Sequence, residues 1–98
     1  MLIELHCHST WSDGSAAVAE VATRAQAAAP ALMALTDHDT SAGHAELATA
    51  IPGAIRACEL TCVEDRRAVH VLVYDVAGDA RWGEFEALLA AQAAARRD

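Results

Sequence analysis

Ala31-Leu32-Met33-Ala34-Leu35-Thr36-Asp37-His38-Asp39 is the stretch whose reading decides the fold. It opens uncharged and mostly apolar, then ends abruptly in two carboxylates flanking an imidazole. A continuous apolar run without alternation marks a strand covered on both faces, the usual condition of a parallel sheet. Polar chemistry just beyond such a strand is where α/β sheets hold their ligands.

The flanking segments fit that frame. Upstream, residues 16–29 (AAVAEVATRAQAAA) predict a helix with Ser15 as its cap and Pro30 as its stop. Residues 2–5 are short, apolar and β-prone, predicting a first strand that ends near His6. Trp11-Ser12-Asp13-Gly14-Ser15 between them is loop chemistry. Downstream, residues 36–40 form a polar break, and Ser41 is placed to cap a second helix reaching Ala50, before Pro52-Gly53. Residues 54–63 and 68–74 are two β-like runs, and Glu64-Asp65-Arg66-Arg67 between them suits a hairpin. Residues 80–97 predict a long helix with Trp82, Phe85, Leu88 and Leu89 on one apolar stripe. The expected order is β-α-β-α-β-β-α, an α/β fold in a single domain over residues 1–98.

Composition excludes several classes. Of the 98 residues 54% are hydrophobic but only 4% aromatic, so alanine supplies much of the apolar content and leaves little volume for a core. The formal net charge of -7 repels a phosphate backbone and argues against duplex nucleic-acid binding. A phosphate ligand stays compatible with that charge if divalent ions sit among the acids. The start lacks a signal peptide's basic and long apolar segments, and no run has the roughly 18 apolar residues of a membrane helix. With the odd set Cys7, Cys58 and Cys62, the expectation is a reduced, cytoplasmic protein away from membranes.

The titratable residues fall at strand ends. His6 and His8 close the first strand, and a strand's period of two points both imidazoles to one face, where they can share an ion. Asp13 follows in the loop. Asp37 and Asp39 flank His38 after the second strand, placed for direct ligation or for fixing an imidazole tautomer. Alone, an acid there also suits the dipole of the next helix, which explains the carboxylates better than the histidine. Glu59 and His70 interrupt apolar β runs, and an unpaired buried charge costs several kcal/mol, so Glu59 in particular calls for a cation. Taken together, these clusters read as one metal-binding rim, with Asp37 and Asp39 as candidate catalytic acids. His44 reads as a surface residue, Glu84 and Glu86 as a solvated helix face, and the cysteines as small buried side chains rather than a zinc site.

These motifs resemble the polymerase and histidinol phosphatase (PHP) domain family. The match is Leu5-His6-Cys7-His8-Ser9, Ser12-Asp13-Gly14, Leu35-Thr36-Asp37-His38-Asp39-Thr40, Cys58-Glu59-Leu60-Thr61 and Val69-His70-Val71-Leu72, in order and spacing over nearly the whole chain. The resemblance implies a distorted seven-stranded (β/α) barrel with a metal cluster at its C-terminal rim. It implies that His6, His8 and Glu59 hold one ion, that Glu59 bridges to a second held by His70, and that Asp13 and His38 serve a third. Up to three divalent ions (manganese, zinc or iron) would occupy a complete site. The implied chemistry is phosphoester hydrolysis by metal-activated water, on a phosphate-ester small molecule or short oligonucleotide, as in the stand-alone bacterial phosphoesterases. Arg56, Arg66 and Arg67 are candidate phosphate contacts.

The family's later strands supply a further histidine and an Asp-x-His pair that have no counterpart after His70. Four strands cannot close such a barrel. The expectation is therefore a partial PHP-type barrel carrying the N-terminal half of the site. Either the sequence is a piece of a longer chain, or a homo-oligomer or second chain completes the site; the alternative is a non-catalytic metal-binding or oligomerising module, with Trp82, Phe85 and Leu89 covering a partner.

Overall fold

A computed structural model describes residues 2–76, 78 and 81–97. Its elements run β1 (Ile3–Glu4), α1 (Val18–Ala28), β2 (Leu32–Leu35), α2 (His44–Ala50), β3 (Ile55–Glu64), β4 (Arg67–Asp75) and α3 (Trp82–Arg97). The strands form one sheet in the order β1-β2-β3-β4. β1 and β2 pair in parallel through Ile3↔Leu32, and β2 and β3 through Ala34↔Ile55. β3 and β4 run antiparallel from Arg56↔Asp75 to Glu64↔Arg67. The intervening Asp65 and Arg66 have φ of 51° and 65°, the positive pair that a two-residue turn needs to match the strand twist.

The core explains the alanine-rich helices. Val18, Ala22 and Ala25 recur at spacings of four and three, so α1 buries one narrow face. With Met33 and Leu35 of β2 and the fully buried Leu47 of α2 they make one cluster. Small residues let the helices approach the sheet closely, and Leu47 alone contributes about 1.5–3 kcal/mol by leaving water.

Several local expectations are corrected. Ser15 does not cap α1; Ala17 takes that position without a side-chain hydrogen bond. The helix ends on Ala29 in the left-handed region at φ 49°, just before Pro30. Ser41 does not cap α2 either. Gly43 does, because a Cβ there would lie 2.8 Å from Leu35 Cδ2 and 2.9 Å from Trp11 Cδ1. The expected start of the last helix at Ala80 lies outside the described residues. Within α3, Trp82 and Leu89 are buried against this chain rather than left to cover a partner, while Leu88 is 65% exposed. The Trp82 indole donates to Ser41 Oγ at 3.0 Å and lies under the Arg56 guanidinium, which pairs with Asp75 at 2.6 Å. That pairing commits Arg56 Nε and Nη2 to a carboxylate within the chain. α3 is thereby fixed beside the carboxyl end of β2. Among the described residues no helix is long and apolar enough to cross a membrane.

Candidate metal centre

The site begins where regular pairing ends. Beyond β1 and β2 the chains stay locked together: Thr36 N donates to Cys7 O at 2.8 Å, and Cys7 N donates to Thr36 Oγ1 at 3.1 Å. On the other side Glu59 N donates to Asp37 O at 2.9 Å and Asp39 N to Glu59 O at 3.0 Å, around a His38↔Glu59 bridge. These bonds bring His6, His8, His38 and Glu59 together. On β3 and β4, Thr61 is opposite His70, so Glu59 and His70 share one face of the hairpin as diagonal neighbours.

Glu59 is the hub. Its Oε1 lies 2.7 Å from His6 Nε2 and 3.0 Å from His8 Nε2; its Oε2 lies 2.8 Å from His70 Nδ1 and 3.5 Å from His38 Nδ1. Asp13 closes the far side, with Oδ1 2.6 Å from His8 Nδ1 and Oδ2 3.1 Å from His38 Nε2. Three groups of ligand atoms result, each within 4.8 Å: His6-His8-Glu59, His8-Asp13-His38 and His38-Glu59-His70. All six expected ligands fall in these groups, and His8, His38 and Glu59 are each shared by two. His70, expected inside an apolar run, has a half-exposed side chain that opens onto the cluster.

The donor set suits a divalent cation. Glu59 is only 4% exposed, and four imidazoles crowd it, with His8 and His38 centroids 4.4 Å apart. Protonating all four rings would pack cations together, whereas neutral rings need something to accept their lone pairs. Mixed imidazole and carboxylate ligation by manganese, zinc or iron answers both problems. The ionisation of the acids already leans that way. Burial pushes the Glu59 pKa up, but bonds from His6 and His8 outweigh it and leave the carboxyl below its ordinary value. The bond to His8 lowers Asp13 likewise. Burial works against protonated His8, yet its bonds to Asp13 and Glu59 raise it above the ordinary value.

Asp37 and Asp39, expected as catalytic acids, are placed elsewhere and belong to none of these groups. Asp37 is 1% exposed; Oδ1 accepts from Ser9 N and Ser12 Oγ, both at 2.6 Å, and Oδ2 from Ser9 Oγ at 2.7 Å. It anchors the 9–14 loop that carries Asp13. Gly14 completes that loop, because a Cβ there would sit 2.5 Å from His8 O. Asp39 has φ 55°, and its Oδ1 accepts from Thr61 N at 2.7 Å, tying the second cluster to β3.

Other expectations shift as well. His44 is half-buried rather than a surface residue, and its Nδ1 has no hydrogen-bond partner among the described residues. Burial, reinforced by Arg56, lowers its pKa. No cysteine joins the metal groups; burial pushes the Cys7 and Cys58 thiols up to about 11. The residue that pattern reading missed is Tyr74, whose hydroxyl on β4 donates to Leu5 O beyond β1. That bond joins the two edge strands, so the sheet curls and carries His70 towards His6. No local signal marks this role, since it depends on two residues far apart in sequence.

An α/β sheet that brings histidine and carboxylate side chains together beyond its parallel strands offers a candidate divalent-metal site. Comparison with known proteins finds relatives of this chain. The chain is 45% identical over 75 residues to a 3',5'-nucleoside bisphosphate phosphatase of Chromobacterium violaceum, covering 71% of this chain and 26% of that protein. It is 40% identical over 73 residues to a 5'-3' exoribonuclease of Haemophilus influenzae, covering 70% and 27%. Among solved structures, an amidohydrolase from Chromobacterium violaceum superposes with a TM-score of 0.72 at 38% identity, over 89% of this chain and 33% of that one. A protein from Bifidobacterium adolescentis described as a metal-dependent phosphoesterase superposes with a TM-score of 0.76 at 27% identity, over 96% and 34%. No protein-family profile matches. The chain is thus homologous to a nucleoside bisphosphate phosphatase, an exoribonuclease and a protein described as a metal-dependent phosphoesterase, consistent with its resemblance to the PHP type. It spans about a quarter of the length of these curated relatives, 26% and 27%.

Proposed function

We propose that this chain carries part of the metal site of a PHP-type phosphoesterase that hydrolyses a phosphate ester of the nucleotide class. The observation that supports this most is Glu59, a buried carboxylate with four imidazoles converging on its two oxygens. The substrate class rests on the names of the two curated relatives. Divalent ions held here (manganese, zinc or iron, up to three) supply Lewis-acid stabilisation and a water nucleophile at neutral pH. The chain's own part is positional. His6, His8, Asp13, His38, Glu59 and His70 would hold the ions in three overlapping groups, and Asp37 and Asp39 hold the backbone that presents these side chains. The exposed apolar Leu2 and Ile3 at the β1 edge, with Leu32 beside them on β2, favour a sheet continued by further strands. A longer chain, a second copy or another chain could supply them. Three free cysteines suit a reducing compartment such as the cytoplasm.

The test is manganese uptake by calorimetry and elemental analysis, paired with hydrolysis of nucleoside monophosphates. Glu59→Gln should lower manganese affinity at least about 100-fold, since altering even an outer partner of a ligand costs 10–100-fold. Glu64→Gln at the exposed hairpin end should change neither readout. Equal affinity in wild type and Glu59→Gln would remove the basis of the proposal. Native mass with and without manganese tests completion by a second copy: a strict monomer that still hydrolyses substrate counts against it.

A further inference from the structure

We infer that Trp11 and the cleft it lines hold the base of a nucleotide whose phosphate occupies the metal centre. This rests on the phosphoesterase reading and deepens it. Trp11 is 56% exposed, unusual for a side chain with so much apolar surface to hide. It is nevertheless held in place. Its backbone N donates to Ser9 Oγ at 3.2 Å, in the loop anchored by Asp37, and its ring edge packs over the site where Gly43 lacks a Cβ. A fixed, exposed indole is a stacking platform already ordered before binding.

The indole also faces the right space. Trp11 lines a cleft of about 410 Å³ with His38, Asp39, Glu86, Ala90 and Ala93. His38 belongs to two of the metal groups, so the cleft opens directly off the centre. A ligand with its phosphate among the ions would extend past His38 into it. From α3 the cleft is lined by Glu86, Leu89 and the small Ala90 and Ala93, whose methyl groups leave room for a flat ring. The acids Asp39 and Glu86 disfavour a second phosphate in the cleft. An uncharged planar base satisfies all three conditions, with stacking worth roughly tenfold or more in affinity.

The experiment follows the two tryptophan indole N–H signals by NMR on the full chain with manganese replaced by diamagnetic zinc. AMP should shift the Trp11 signal, assigned from Trp11→Leu, and leave the Trp82 signal in place; ribose 5-phosphate should shift neither. The affinity ratio of AMP to ribose 5-phosphate should fall about tenfold or more in Trp11→Leu and recover largely in Trp11→Phe. Metal uptake without a Trp11 response, an equal response to both ligands, or an unchanged ratio overturns this inference alone. No metal uptake by the wild type refutes the phosphoesterase reading and removes this inference with it.

Discussion

Asp37→Asn separates an anchoring carboxylate from a catalytic one. The substitution keeps the side chain's shape, so no cavity opens. It removes the charge from an acceptor that takes three short hydrogen bonds, from Ser9 N, Ser9 Oγ and Ser12 Oγ, at 2.6–2.7 Å. Hydrogen bonds to a charged group contribute about 1.5–3 kcal/mol against about 1 for neutral ones, and the new NH2 cannot accept from Ser9 Oγ. Relief from burying a charge offsets part of this loss. A net destabilisation of about 2 kcal/mol remains, which for a chain of this length lowers Tm by roughly 8–16 °C. The assay is thermal unfolding by circular dichroism in chelator, with manganese titration well below the transition. The variant should melt early yet still take up manganese, because neither Asp37 oxygen faces the imidazoles. An unchanged Tm together with lost manganese binding would refute the anchoring role and make Asp37 a ligand.

Three further outcomes follow from the same geometry. Gly14→Ala forces a Cβ to within 2.5 Å of His8 O, so it should cost about 1–3 kcal/mol and weaken manganese binding, whereas Gly53→Ala, with nothing within 4 Å, should be neutral in urea unfolding. In the native chain Cys7 and Cys58, with thiols pushed up to about 11, should resist alkylation at pH 8 that the unfolded chain accepts at once; mass spectrometry reads the difference, and rapid native labelling of Cys58 would contradict its burial. In chelator, the lowered Glu59 carboxyl stabilises the fold above its ordinary value of 4.5 and loses that contribution as the pH falls. Raised His8 stabilises it below its ordinary value of 6.5 and loses that contribution as the pH rises. The urea midpoint should therefore peak between about pH 4.5 and 6.5, and a midpoint that climbs from pH 6.5 to 8 would contradict the His8 pairing.

What the sequence determined by itself was periodic or contiguous. The unbroken apolar run of β2, the spacing of Val18, Ala22 and Ala25, and the polar link at Asp65 and Arg66 are local patterns set by covalent geometry, so the elements were legible from them. The candidate metal rim was legible in part, because His-x-His on one strand and a charge inside an apolar strand are local oddities that suit a cation, while the set of six positions came from the family resemblance. What only the tertiary structure decided depends on neighbours distant in the chain. Ser15 and Ser41 look like caps, yet close packing at Gly43 and the Trp82 indole redirect that end of α2. Asp37 and Asp39 look like one cluster with His38. Asp37 and His38 point to opposite sides of extended backbone and Asp39 turns off it at φ 55°, so the imidazole enters the centre while both acids hold backbone. Tyr74 curls the sheet, and Trp11 stands exposed beside His38, through contacts that no periodicity encodes.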